Sequence, residues 1–134
     1  MMPLKLDNPA TLSPPLGLYS HTVEVPAGAR LVFVSGQVGV RPDGTTPESL
    51  EEQADQVYAN IVAALAAKNA PPSAIIKLTT FMVDDDPTGV IRKARRKHLG
   101  DHRPASTAVY VVRLVDRAWK VEIEAVAMIP DNAQ

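Results

Sequence analysis

The sequence predicts an α+β domain with two helices packed on one face of a mixed β-sheet. Apolar residues recur at three- and four-residue intervals between Leu50 and Leu65, which is the period of a helix. They alternate with polar residues over 120–128, which is the period of a strand. The predicted elements follow the order β-β-α-β-α-β-β, and the 134 residues suit a single domain, 1–134.

Two strands are predicted near the N-terminus, over 22–25 and 30–40. Pro26-Ala27-Gly28 separates them, and this is turn chemistry because proline presets φ and glycine accepts a positive φ. A turn between two strand-like segments is typical of a hairpin. We therefore expect these two strands to pair with each other.

The helices have recognisable ends. Ser49 and Glu52 have the spacing of a capping box, and Asn69 followed by two prolines predicts the end of the first helix. After a β-branched strand over 75–83, a run of three aspartates opens a second helix that reaches about Leu99. Its later turns carry Arg92, Lys93, Arg95, Arg96 and Lys97. Acidic residues at the start of a helix and basic residues near its end suit the helix dipole.

Two more strands are predicted over 107–115 and 120–128. In the second, Glu122 and Glu124 alternate with small or branched apolar residues, so one face packs and the other is polar.

Composition narrows the classes of partner. The 14 basic and 15 acidic residues give a net charge of −1, so no general attraction to nucleic acid is expected. The chain has no cysteine, and residues 1–15 lack the apolar core of an export signal. We find no metal or nucleotide motif and no apolar run long enough to span a membrane. These observations predict a cytoplasmic protein without cofactor or bound metal.

Five segments together resemble the Rid family (reactive intermediate deaminase, or YjgF-type) over most of the chain. They are Gly-Leu-Tyr-Ser at 17–20, Val-Ser-Gly-Gln at 34–37, the helical stretch 60–65, Arg-Pro-Ala-Ser-Thr-Ala-Val at 103–109 and Lys-Val-Glu-Ile-Glu-Ala-Val-Ala at 120–127. The resemblance implies a chorismate-mutase-like fold and a homotrimer whose clefts between subunits bind a small-molecule metabolite. It also implies an activity, the hydrolysis of an enamine or imine to a carbonyl compound and ammonia.

The resemblance includes one departure. Deaminating members of the family read Pro-Ala-Arg-Ser, and the arginine pairs with the substrate carboxylate, whereas this chain has Ser106 at that position. Serine cannot copy the two parallel hydrogen bonds of a guanidinium. Arg92 matches a position where the deaminases commonly have an asparagine facing the cleft, so it is a candidate replacement. The alternative is that Arg92 belongs to the solvated basic face of its helix.

Other site residues follow from the same resemblance. Glu122 matches the glutamate that orients water, although a glutamate on an alternating strand also serves simply to solvate the polar face. Tyr19 matches the tyrosine that caps the cleft, and Gly36 matches a glycine whose backbone lines it. The predicted site consists of Tyr19, Gly36, Arg92, Ser106, Thr107 and Glu122, with Glu122 in the catalytic role.

Two functions of different class remain open from the sequence. The first is an enamine or imine deaminase with a non-standard substrate, and the second is a non-catalytic trimer that binds a metabolite. A ribonuclease is a distant third, because the basic cluster lacks the aromatic side chains on which bases stack. Ser106→Arg should increase the deamination of 2-imino acids if every other group is already in place.

Overall fold

The computed structural model describes residues 3–130, in which six strands, two α-helices and one 3-10 helix are formed. The strands are β1 (Lys5–Asp7), β2 (Thr22–Glu24), β3 (Arg30–Val38), β4 (Ile75–Met82), β5 (Ala105–Tyr110) and β6 (Val121–Ile129). The helices are α1 (Leu50–Ala66) and α2 (Val90–Leu99), and the 3-10 helix Pro72–Ala74 leads into β4.

Four strands form a mixed sheet in the order β3-β6-β4-β5. Only β4 and β5 run parallel in it, because α2 carries the chain from the end of one back to the start of the other. Helix α1 packs on β3 and β6, and α2 packs against α1. The core between them includes Val57, Ile61, Leu78 and Ile123, each with no exposed surface. The predicted α+β architecture, with both helices on one face, is confirmed.

The predicted hairpin is wrong. Strand β2 pairs with β1 in a separate two-stranded sheet, while β3 pairs with β6. The turn itself does form, since Ala29 N donates to Pro26 O at 3.3 Å and Gly28 has a φ of +78°. Turn residues set a local reversal of the chain, but the partner of β3 is decided by the burial of its apolar face against α1. Strand β1 was not predicted at all.

The predicted helix starts agree with the structure. Ser49 Oγ accepts a hydrogen bond from Glu52 N at 3.1 Å, which begins α1. At α2, the Asp86 carboxylate accepts from the amides of Val90 and Ile91 at 2.8 and 3.0 Å. The last residue of the aspartate run therefore satisfies two amides that have no partner within the helix.

The alternation predicted for β6 is also observed. Val121, Ile123, Ala125 and Ala127 are buried, whereas Glu124 is exposed. Strand β5 is shorter than predicted and ends at Tyr110. Between residues 3 and 130, neither helix has the length and apolarity that crossing a membrane requires.

Candidate functional site

A cavity of about 240 Å³ opens between α2 and the β4–β5 edge of the sheet. It forms there because α2 rests mainly on α1 and leaves space above the last two strands. The cavity is lined by Gly17, Leu18, Tyr58, Thr80, Met82, Asp86, Ile91, Arg92, Arg95, Ser106 and Ala108. Most of this surface is apolar, and its polar groups come from the two arginines, Asp86 and several hydroxyls.

The loop that closes one side of the cavity is tied down by three hydrogen bonds. Ser20 N donates to Pro104 O at 3.1 Å, and Ser20 Oγ donates to Arg103 O at 2.6 Å. The guanidinium of Arg95 donates to Leu18 O. The glycine-containing segment before β2 is thereby held against α2 and against the residues that immediately precede β5.

Two of the predicted site residues line this cavity, namely Ser106 and Arg92. Tyr19 follows the lining residue Leu18, but its own side chain is directed elsewhere. Its hydroxyl accepts a hydrogen bond from Leu16 N at 3.1 Å. Its ring packs edge-on against the ring of His21, with 5.8 Å between the ring centroids.

The other three predicted residues lie on the opposite face of the sheet. Glu122 shares a second cavity, of about 250 Å³, with Phe81. A Cβ placed on Gly36 would lie 2.0 Å from Glu122 Oε2, so the carboxylate occupies the space that glycine leaves. The pairing of β3 with β6 shifts register between Val34 and Gln37, which places Gly36 in an irregular part of the strand.

Thr107 lies on the same face as Glu122, and its Oγ1 accepts from Lys77 Nζ at 2.7 Å. Strand alternation explains the separation, since Ser106 and Thr107 are neighbours in β5 and must point to opposite sides. Within one chain, the predicted site is therefore divided by the sheet. Across residues 3–130, no three His, Asp or Glu side chains converge as a metal site would need.

Arg95 is the cavity residue that sequence reasoning missed. Its position among basic neighbours predicts a solvated helix face, but the structure places it on the cavity wall, partly buried. Burial lowers the pKa of its guanidinium, and the nearby charges of Arg103 and Arg92 act in the same direction. The sequence did contain a signal, because Arg95 lies four residues after buried Ile91 and three before partly buried His98.

Tyr58 is a second residue of the cavity wall that the sequence does not predict. The helical period indicates only that its side chain is buried in the core. It is 1% exposed, and its ring stacks on that of His98 with centroids 6.4 Å apart. Burial raises the pKa of Tyr58 to about 12, although the nearby Arg95 opposes the shift. The phenol therefore keeps its proton near neutral pH and remains a hydrogen-bond donor.

Comparison with known proteins agrees with these features. A family model described as Endoribonuclease L-PSP matches residues 10–129. The chain is 34% identical to Protein HMF1 of Saccharomyces cerevisiae over 110 residues, or 81% of this chain and 82% of that protein. It is 30% identical to the 2-iminobutanoate/2-iminopropanoate deaminase of Mus musculus over 115 residues, or 84% and 82%.

Among solved structures, a protein of unknown function from Yersinia pestis, YyfB of the conserved Rid family, superimposes with a TM-score of 0.84. The two sequences are 28% identical, and the match covers 95% of this chain and 99% of that one. The family model and the structural match each cover most of the described residues. This chain therefore belongs to the Endoribonuclease L-PSP family, which is the Rid (YjgF-type) family.

Proposed function

We propose that this protein hydrolyses an enamine or imine metabolite to a carbonyl compound and ammonia. The observation that carries the proposal is the Glu122 carboxylate seated over Gly36, in a family whose members include proteins named 2-iminobutanoate/2-iminopropanoate deaminase. A glycine at this position gives the carboxylate a place to lie against the backbone. A carboxylate held in this way is suited to orient water.

The reaction consumes one water molecule. Its oxygen adds to the carbon of the C=N bond, and the nitrogen takes up a proton to give a carbinolamine. The C–N bond then breaks, and the hydroxyl proton moves to the departing nitrogen, so a C=O bond and ammonia result. Glu122 accepts the proton from the attacking water and returns it to the nitrogen. The protein consumes no oxidant or cofactor in these steps.

We further propose that the working unit is a homotrimer with its clefts between subunits. One support is the division of the site, since Ser106 and Glu122 lie on opposite faces of one sheet. The other is the apolar surface around Glu122, where Phe33 is 73% exposed and Val109 is 42% exposed. Large exposed apolar side chains grouped on one sheet face are typical of a contact between subunits. In a ring of three copies, the open face of one subunit would meet the cavity of the next.

The test is release of 2-keto acid and ammonia from freshly generated 2-imino and 2-enamino acids, compared with spontaneous hydrolysis. We expect wild-type protein to accelerate release and Glu122→Gln to reduce the acceleration by about 100-fold or more. Glu124→Gln is the matched control, because Glu124 lies two residues further on the same face of β6 and is exposed. It should retain wild-type activity.

Absence of acceleration over the whole substrate panel would reject the deaminase and favour a non-catalytic, metabolite-binding trimer. The structure gives less support to a ribonuclease. Lys97 pairs with Asp55 at 2.9 Å and Arg95 lies on the cavity wall, so the basic residues of α2 do not form one continuous surface.

A further inference from the structure

The guanidinium of Arg95 has more hydrogen-bond donors than there are acceptors bonded to it among the described residues. A guanidinium has five N–H donors. The hydrogen bond found for Arg95 within residues 3–130 runs to Leu18 O, and its buried Nε has no partner among those residues. An unpaired buried donor is unfavourable, so a guanidinium in this state is a candidate for ligand binding.

The two arginines of the cavity form no ion pair within the described residues. In the described part of the chain, the ion pairs involve Arg41, Lys97, His98 and Lys120, and none involves Arg92 or Arg95. Asp86 lines the same cavity, but its two oxygens accept from backbone amides at the start of α2. The cavity wall therefore carries two guanidinium groups that lack a carboxylate partner.

The remaining lining limits the size and character of the ligand. About 240 Å³ is room for a small metabolite, and Leu18, Met82 and Ile91 provide an apolar surface. Ser106 and Tyr58 add hydroxyl groups, and the phenol of Tyr58 keeps its proton. A short apolar chain ending in a small anion matches this combination of surfaces.

We propose that Arg95 on α2 binds the carboxylate of the ligand, and so supplies from the helix the positive charge that Ser106 does not supply from β5. A planar guanidinium holds a carboxylate through two parallel hydrogen bonds, which gives orientation as well as affinity. This inference rests on the proposed function, and it narrows the substrate to a small 2-imino or 2-enamino monocarboxylic acid.

Binding can be tested without turnover by calorimetry with 2-oxobutanoate and its neutral amide, 2-oxobutanamide. Wild-type protein should bind the carboxylate more tightly than the amide, by about 30-fold or more. Arg95→Gln removes the charge and keeps a shorter side chain with an N–H donor, so it should abolish this preference by weakening carboxylate binding alone. Arg96→Gln is the matched control, since Arg96 is the next residue on α2 and is exposed.

A purely structural role for Arg95 predicts a different result. If Arg95 only anchors the loop at Leu18, Arg95→Gln will weaken carboxylate and amide binding equally, and the proposal is wrong. It is also wrong if wild-type protein shows no preference for the carboxylate. Should Arg95→Gln fail to fold, Arg95→Lys retains the charge without the planar fork, and it should lose about tenfold in carboxylate affinity.

Two further results separate this inference from the proposed function. If imine hydrolysis is accelerated but its kcat/KM is unchanged in Arg95→Gln, the deaminase stands and the role of Arg95 is rejected. If Arg95 governs carboxylate binding but no imine is hydrolysed, the anion site stands and the deaminase is rejected. Adding Ser106→Arg to Arg95→Gln should restore the preference, because both positions line the same cavity.

Discussion

At the scale of single residues, the absence of a side chain at Gly36 leaves the space that the carboxylate of Glu122 occupies. The Glu122 carboxylate lies where a Cβ on residue 36 would be, with Oε2 at 2.0 Å and Cδ at 2.8 Å from that point. The resemblance paired each residue with a role, but it did not place them in contact. Their contact depends on the pairing of β3 with β6, which lies beyond local sequence patterns.

Gly36→Ala should therefore damage activity more than stability. The added methyl group meets the end of a flexible side chain, so Glu122 will move aside and the free energy of unfolding should fall by less than about 1 kcal/mol. Imine hydrolysis should fall about as far as in Glu122→Gln. Gly28→Ala is the control, since Gly28 has a φ of +78° and open space around it. That variant should lose stability and keep its activity.

The hydrogen bonds of the Asp55 carboxylate predict that the free energy of unfolding depends on pH. Hydrogen bonds from Lys97 and then His98 hold the pKa of its carboxyl below the ordinary value. A lowered folded-state pKa stabilises the fold above the unfolded pKa of about 3.9, and the contribution is lost as the pH falls through the folded value. Because the side chain is 44% exposed, Asp55→Asn should cost only about 0.5–1 kcal/mol at neutral pH.

Urea unfolding of Asp55→Asn and wild type at a series of pH values measures this effect. The difference between their unfolding free energies should be constant near neutrality and shrink below about pH 4. A difference that persists unchanged into strong acid would show that the charge of Asp55 is not its source.

At the scale of elements, Gln53 joins the first turn of α1 to two loops. Its side chain is fully buried and donates to Pro47 O and Ala118 O, both at 2.9 Å. Its Oε1 accepts from Lys120 N at 2.8 Å, next to the start of β6. The sequence predicted α1 and its start correctly, but its helical pattern marked apolar positions and passed over this buried amide. Burial of a polar side chain depends on distant carbonyl and amide groups that become neighbours only in the fold.

Gln53→Met should lower the free energy of unfolding by about 3 kcal/mol, because it leaves buried backbone groups without partners. Chemical denaturation at neutral pH measures the loss. Gln56→Met is the comparison on the same helix, since the Gln56 side chain is only partly buried and bonds Asn60 Oδ1 at 2.8 Å. A similar loss in both variants would mean that the buried network around Gln53 is not what stabilises this end of α1.

At the scale of the whole molecule, the proposed trimer can be disrupted at its apolar sheet face. Phe33→Glu places a charge at the most exposed aromatic side chain of β3, and sedimentation should then show monomers. Leu12→Glu is the control, because Leu12 is 50% exposed in the segment between β1 and β2. A trimer that persists in Phe33→Glu would place the contact between subunits elsewhere.

A mixing experiment tests whether each cleft draws on two subunits. Co-expressed Glu122→Gln and Arg95→Gln chains should recover about a quarter of wild-type activity, since a random quarter of the clefts would combine two intact residues. If both residues acted within one subunit, no mixed cleft would be intact and activity would stay at the level of the single variants.

The sequence alone determined the α+β class, both helices with the capping residues at their starts, and the family. These features depend on the hydrophobic period, capping residues and short motifs, and each of these signals is contained in a short segment of the sequence. The tertiary structure decided that β2 pairs with β1, that Arg95 lines the cavity and that the sheet separates Ser106 from Glu122. Such features depend on contacts between residues far apart in the chain, because burial and strand pairing are properties of the packed molecule.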